Sequence, residues 1–182
     1  MATSSLSSFS STLVLYLIVA SLMTPSTSNY LSDMCIKTKS PRFCLQVFGL
    51  NPHRRPYALT LEAVNLSLKN ASATTKKIHT LLDQTNEENL KEIYKYCLRY
   101  YNNVIDILGG VEEHVLKQGF YSSVKPVGNF VLEAGQFCEN KFQTTGNGRV
   151  STLTEDNKNL RIFGSIIVAA ADLLTNSTSP KK

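Results

Sequence analysis

The sequence predicts an all-α protein, an antiparallel four-helix bundle with an N-terminal extension, and three observations carry that expectation. Strand-like alternation is nearly absent. Apolar residues recur at spacings of three and four through four long segments, and short polar connections separate those segments. At 182 residues the chain suffices for one domain with a real core and falls short of two.

The first segment carries the seam Tyr57, Leu61, Val64, Leu68, Ala71, Thr75, Ile78, Leu82, a heptad-like stripe that calls for lengthwise packing at a shallow angle. The second opens with Thr85-Asn86-Glu87-Glu88, which reads as a capping box. It continues through Leu90, Tyr94, Cys97, Tyr101, Val104 and Leu108, and is expected to end at Gly109-Gly110. A short helical stretch, 111 to 117, precedes Gly119. The third helix then runs to Phe142 with Val127, Val131, Ala134, Cys138 and Lys141 on one stripe and Pro126 in its first turn or at a kink. After the polar turn at 144–148, Thr154 is placed to cap a last helix whose seam is Leu160, Phe163, Ile167, Ala170 and Leu174. The tail from Thr175 is polar and expected to fray. The expected organisation is a leader at 1–28, an extension of short helices or turns at 29–56, the bundle at 57–176 and a disordered tail at 177–182.

The leader reading rests on the apolar run from Leu13 to Leu22, too short to span a bilayer, with Ser26 and Ser28 placed for cleavage before Asn29. Its n-region lacks Lys or Arg. Cleavage would leave a secreted protein with no further segment of membrane length, carrying the whole net charge of +5. An oxidising compartment gives the four cysteines a structural meaning. Three pairings are open. The eight residues between Cys35 and Cys44, Pro41 among them, suit a local staple, which leaves Cys97 with Cys138. Both of those lie on inward stripes, so their bond would clamp the second long helix to the third, at a gain of roughly 2–4 kcal/mol. Sequons at Asn65, Asn70 and Asn176 fit the same route. Asn65 flanks the first seam, which makes Asn70 and Asn176 the more accessible pair.

Catalytic constellations are missing. His53, His79 and His114 are scattered. Glu112-Glu113-His114 has no second His one turn on, so a solvated charged face explains it better than a metal site. The carboxylate pairs Glu87-Glu88 and Glu155-Asp156 fall where helices begin and answer the helix dipole. Gly146-Asn147-Gly148 lacks the strand and lysine of a phosphate loop. No cofactor or metal is called for. The run from Tyr94 to Tyr101 mixes aromatic and basic residues. Tyr94 and Tyr101 belong to the core seam, leaving Tyr96, Arg99 and Tyr100 as surface candidates, and the basic residues are too dispersed for a nucleic-acid binder.

The segments Cys35-Ile-Lys-Thr-Lys-Ser-Pro-Arg-Phe-Cys44, Tyr96-Cys97-Leu98-Arg99-Tyr100-Tyr101 leading to Leu108, Gln136-Phe137-Cys138-Glu139-Asn140-Lys141-Phe142 and the closing helix from Asn159 to Leu174 follow one another in fixed order. In order and spacing they resemble the plant invertase and pectin methylesterase inhibitor family across essentially the whole mature chain. The resemblance implies an N-terminal helical hairpin, consecutive disulfide pairing and one-to-one inhibition of an acid invertase or a pectin methylesterase by covering its cleft. Tyr121-Ser122-Ser123 stands where the invertase-directed branch carries Pro-Lys-Phe. Phe120 and Val124 replace the Asp and Ala of the other branch's Asp-Tyr-x-x-Ala. The stretch 150–158 is similar to members grouped with invertase inhibitors, so the sequence leaves both targets open, with the overall pattern slightly nearer the invertase-inhibitor members and the missing triplet counting against that target.

The expected function is therefore a secreted, non-catalytic inhibitor acting in the apoplast or cell wall. Phe120, Tyr121, Ser122 and Lys125 are expected to face the target, with Tyr96 and Arg99 as secondary contacts. The positive charge adds adsorption to a polyanionic wall such as de-esterified pectin. Two other functions compete: a carrier of a small ligand or lipid between the helices, and a secreted interaction module without an enzyme target.

Overall fold

The computed structural model describes residues 29–49, 54–145 and 151–178; the expected leader, His53 and the Gly146-Asn147-Gly148 turn lie outside them. Among the described residues six α-helices follow in order: α1 (Tyr30–Cys35), α2 (Pro41–Phe48), α3 (Pro56–Gln84), α4 (Glu88–Val111), α5 (Val124–Thr145) and α6 (Thr154–Thr178). A π-helical turn (Glu112–Leu116) extends α4, and a 3-10 turn (Tyr121–Ser123) leads into α5. The last four helices form an antiparallel ring in which each packs on its sequence neighbour and α6 closes on α3. Thr60 seals that closure, its buried hydroxyl reaching Ala170 O at 3.3 Å as well as Pro56 O at 2.9 Å.

The α5–α6 contact is the tightest because glycines let the backbones approach. A Cβ on Gly164 would stand 2.5 Å from Leu132 N and 2.8 Å from Gly128 O, and one on Gly128 2.8 Å from Val168 N. All five predicted seam residues of α6 are buried, as are Cys97, Tyr101, Val104, Val131, Ala134 and Cys138. α6 is long and apolar enough to cross a membrane, with a mean hydropathy of 1.3 over its most apolar stretch, yet 61% of that stretch is buried in the bundle. It is the central rod of the core.

Both disulfides are present. Cys35 is bonded to Cys44 and Cys97 to Cys138, with Cα atoms 5.4 and 4.8 Å apart. The first closes a helical hairpin, α1–α2, which docks on α6 through buried Leu31 and Met34, an edge-on contact of Phe43 with Phe163 (centroids 5.4 Å apart) and the Lys39 N–H donating to Ser165 Oγ at 3.1 Å.

Six expectations need correction. The α3 seam is displaced: Leu59, Thr60, Ala63, Ser67 and Thr74 are buried, while Tyr57, Leu61, Leu68, Thr75 and Leu82 sit half-buried at its margin. Wedged between α4 and α6, α3 uses small residues where backbones approach and leaves bulky ones at the rim. Asn65 is consequently exposed and Asn70 half-buried with its Oδ1 enclosed, the reverse of the expected accessibility; Asn176 is exposed. Thr85 ends α3, its hydroxyl accepting from the Glu87 N–H at 3.4 Å, but Glu88 pairs with Lys91 at 2.6 Å instead of reaching back, so no capping box forms. Gly109 and Gly110 do not stop α4, because neither takes a positive φ and the apolar stripe continues through buried Val111 and Leu116. The chain turns at Gly119, with φ 76°. Thr154 begins α6 by donating from its hydroxyl to Glu139 Oε1 (2.9 Å) and Ser151 O (3.1 Å) instead of accepting from the backbone, and α6 runs on through Thr175 to Thr178. Pro126 lies in the first turn of α5, where its missing N–H costs nothing.

Candidate protein-docking face

The Cys97–Cys138 bond fixes α4 against α5 and thereby sets which surface residues meet above it. Tyr96 and Tyr100, one turn apart on α4, pack with their rings tilted by 52° and centroids 5.0 Å apart, and Tyr100 in turn meets Phe137 of α5 at 5.1 Å with a tilt of 42°. Arg99 lies over both tyrosines, its guanidinium carbon 5.2 and 5.6 Å from their centroids. Lys141 Nζ stands 5.4 Å from the Tyr96 ring. Glu92, Lys95, Tyr96, Arg99 and Lys141 line a hollow of about 240 Å³ at one end of this patch. The Tyr96 hydroxyl donates to the Tyr100 hydroxyl at 3.4 Å, a bond that holds the Tyr96 phenol above its ordinary range.

Helical spacing continues the patch. Ile107 follows Tyr96 and Tyr100 on the same face of α4, and Phe130 precedes Phe137 by two turns on α5. Counted from the Cys97–Cys138 link, Ile107 lies about 15 Å along α4 and Phe130 about 12 Å along α5, so both stand toward the same end of the pair. Phe137 and Ile107 are 38% and 39% exposed, so both present apolar area to solvent. Sequence reading singled out Tyr96 and Arg99 and missed Phe137, Phe130 and Ile107. The signal was there in the 130, 137 spacing, off the stripe assigned to the core, whereas Lys141, assigned to that stripe, is half-buried and lies against the Tyr96 ring instead.

Phe120, Tyr121 and Ser122 stand elsewhere, in the connection between the same two helices, with Lys125 in the first turn of α5, roughly 25 Å from Arg99 along α4. Phe120 is 59% exposed, Ser122 is exposed and Tyr121 half-buried, whereas Lys125 is tied to Asp172 of α6 at 2.8 Å. The structure therefore does not gather the six expected target contacts into one cluster.

Beneath the patch, the polar side chains are engaged with one another. Tyr101 donates to Asn157 Oδ1 at 3.0 Å, and Asn157 Nδ2 to Glu139 Oε2 at 2.8 Å. Burial, reinforced by the negative charge of Asp156, pushes the Tyr101 phenol far above its usual range and keeps it neutral. His79 and His114 are exposed and apart. No group of three His, Cys, Asp or Glu among the described residues is placed to hold a metal. The arrangement offers a rigid surface for contact.

Comparison with known proteins points the same way. A pectinesterase inhibitor from Actinidia deliciosa is 29% identical over 153 residues, 82% of each chain. The crystal structure of a mutant form of a pectin methylesterase inhibitor from Arabidopsis matches with a TM-score of 0.70 at 20% identity over 85% of this chain and 100% of that one. A second pectin methylesterase inhibitor structure, from Arabidopsis thaliana, matches with a TM-score of 0.60 at 20% identity over 85% and 99%. These structures share the fold. The profile of the plant invertase/pectin methylesterase inhibitor family matches residues 29–173, from the docked hairpin almost to the end of α6, and the chain belongs to that family.

Proposed function

We propose that this protein is a secreted inhibitor of a pectin methylesterase, forming a one-to-one complex that covers the enzyme's polysaccharide groove. Membership of an inhibitor family makes it a binding protein, not an enzyme. The observation that carries the docking surface is the Tyr96–Arg99–Tyr100–Phe137 patch: aromatic area left outside a filled core, cationic at its edge, seated on a disulfide. Aromatic and Arg side chains are the residues that dominate protein contacts. Packed rings under a guanidinium also suit a groove built for sugars and carboxylates. The connection carrying Phe120, Tyr121, Ser122 and Lys125 joins the same two helices and lies at the rim of the proposed interface. The pectin methylesterase target rests on the likeness to the Actinidia deliciosa inhibitor.

The test titrates the oxidised protein against a pectin methylesterase and, separately, an acid invertase. Loss of esterase activity that saturates at one equivalent is expected. Loss confined to the invertase would move the target to the other branch. Loss of neither at micromolar protein, with stoichiometric displacement of a lipid or dye, would replace inhibition by the carrier reading.

A further inference from the structure

The net charge is unevenly placed. Residues 29–56 hold Lys37, Lys39, Arg42, Arg54 and Arg55 against Asp33 alone, so +4 of the chain's +5 belongs to the hairpin and its link to α3. Where the hairpin meets α6, a second hollow of about 240 Å³ is lined by Lys39, Ser40, Lys158, Arg161 and Ile162. Three of those five are cations and none is a carboxylate. Among the described residues the acid paired with them is Glu155, which meets Lys158 at 3.2 Å.

The hollow is built by the fold. The Lys39 backbone is pinned to Ser165 of α6, which sets its side chain at the junction. Ser40 precedes α2 and makes no capping bond with its hydroxyl. Arg161 lies against α5 because residue 135 is glycine: a Cβ there would come within 2.9 Å of Arg161 Cγ. Its Nε is enclosed and has no hydrogen-bond partner in the protein, and its guanidinium makes no ion pair among the described residues. The enclosed Nε is out of a ligand's reach, so it is the outer nitrogens of this half-buried guanidinium, lining the hollow, that a carboxylate would complement.

We infer that this hollow is a carboxylate site that binds a uronate residue of an acidic polysaccharide. The inference deepens the proposed function, on which its biological sense rests. Hydrolysis of a pectin methyl ester adds water across the ester, releases methanol and leaves a carboxylate on the chain. An inhibitor that holds that carboxylate on its hairpin, away from the α4–α5 face, would be retained where its target has already acted. One shallow site gives modest affinity, and the repeating polymer raises it by presenting many equivalent carboxylates.

The experiment measures binding of a galacturonate trimer to the oxidised full mature chain by calorimetry, with the fully methyl-esterified trimer, inorganic phosphate and inorganic sulfate as parallel ligands. The free-acid trimer is expected to bind and its ester not to. Arg161→Gln should weaken binding about tenfold, and Arg161→Lys, which keeps the charge and loses the fork, by several-fold. Lys117→Gln, beyond α4 at the end of the bundle, removes the same charge and should change it less than about twofold. Equal weakening by Arg161→Gln and Lys117→Gln would overturn the site in favour of diffuse attraction. Phosphate or sulfate binding as tightly as the trimer would overturn the carboxylate assignment. Esterase inhibition by the same samples separates the two proposals: inhibition without trimer binding refutes this site alone, and trimer binding without inhibition refutes the target alone.

Discussion

Replacing Gly164 by alanine tests the claim that α5 and α6 are held by direct backbone approach. The new Cβ would lie 2.5 Å from Leu132 N and 2.8 Å from both Gly128 O and Leu132 Cα, all backbone atoms that cannot swing aside. The helices must part by roughly 0.5–1 Å, which forfeits a quarter to a half of the dispersion attraction at each contact that opens. Overpacking of this kind costs typically 1–3 kcal/mol, and a rigid neighbour puts Gly164→Ala near about 3. Alanine returns about 1 kcal/mol of helix propensity, leaving a net loss of about 2 kcal/mol. Gly109 supplies the opposite case. It lies exposed within α4, a Cβ added there would meet nothing within 4 Å, and its φ is not positive, so Gly109→Ala should stabilise by about 0.5–1 kcal/mol. Urea unfolding of the oxidised proteins, monitored by far-UV circular dichroism, measures both. If Gly164→Ala were as stable as the parent, or moved with the same sign as Gly109→Ala, the close-approach argument would be wrong.

Removing the Cys97–Cys138 bond by a double alanine substitution opens a loop with a sequence separation of 41 and should cost about 4 kcal/mol on the chain-entropy estimate; an unchanged urea midpoint would refute that. Tyr101 keeps its proton in the fold above the pH, about 10, at which the unfolded chain releases it, so stability should fall as pH rises beyond that value. Tyr101→Phe should show a shallower fall between pH 10 and about 11.5, and identical slopes there would exclude Tyr101 as the source. Arg99→Ala and Phe137→Ala should each weaken esterase inhibition about tenfold or more while leaving the urea midpoint nearly unchanged, and full inhibition by both would remove the α4–α5 face from the interface. In material exported from a eukaryotic cell, peptide mapping should find glycan at Asn65 and Asn176 and none at Asn70; glycan at Asn70 would show that its side chain is less enclosed than the packing of α3 implies.

The parts of the fold legible in the sequence are those governed by one-dimensional periodicity. The α6 seam, from Leu160 to Leu174, is a single stripe against a single core, and spacing alone identifies it. Tyr94 and Tyr101 separate from Tyr96 by the same rule: the first two are buried, while Tyr96 is left at the surface. What periodicity cannot supply is which side of a helix meets a neighbour's backbone. Ala63, Ser67 and Thr74 look weak as core formers, and they are buried because α3 is squeezed between two helices. Gly109-Gly110 carries a strong local stop signal, overridden because Val111 and Leu116 have apolar surface to bury beyond it. The docking patch was half visible, since Phe137 joins Tyr100 only after the disulfide sets the register of α4 on α5. Arg161 could not be read at all, because its surroundings come from the hairpin and from the absent side chain of Gly135.

Why such a patch should sit over a disulfide follows from what binding costs. Each long side chain immobilised on docking costs about 0.5–1.5 kcal/mol in lost rotamer freedom. Tyr96, Arg99, Tyr100 and Phe137 already restrict one another through ring packing, cation–π contact and the Tyr96–Tyr100 hydrogen bond. Four side chains ordered beforehand avoid roughly 2–6 kcal/mol of that penalty, equivalent to at least a tenfold gain in affinity with no added contact. The ordering lasts only while α4 and α5 keep their register, and the covalent link at Cys97 and Cys138, fully buried beneath the rings, prevents the two helices from sliding. Reduction should therefore weaken docking before it unfolds the bundle: the remaining helix contacts hold the fold, whereas the packed rings need alignment to within an ångström or so.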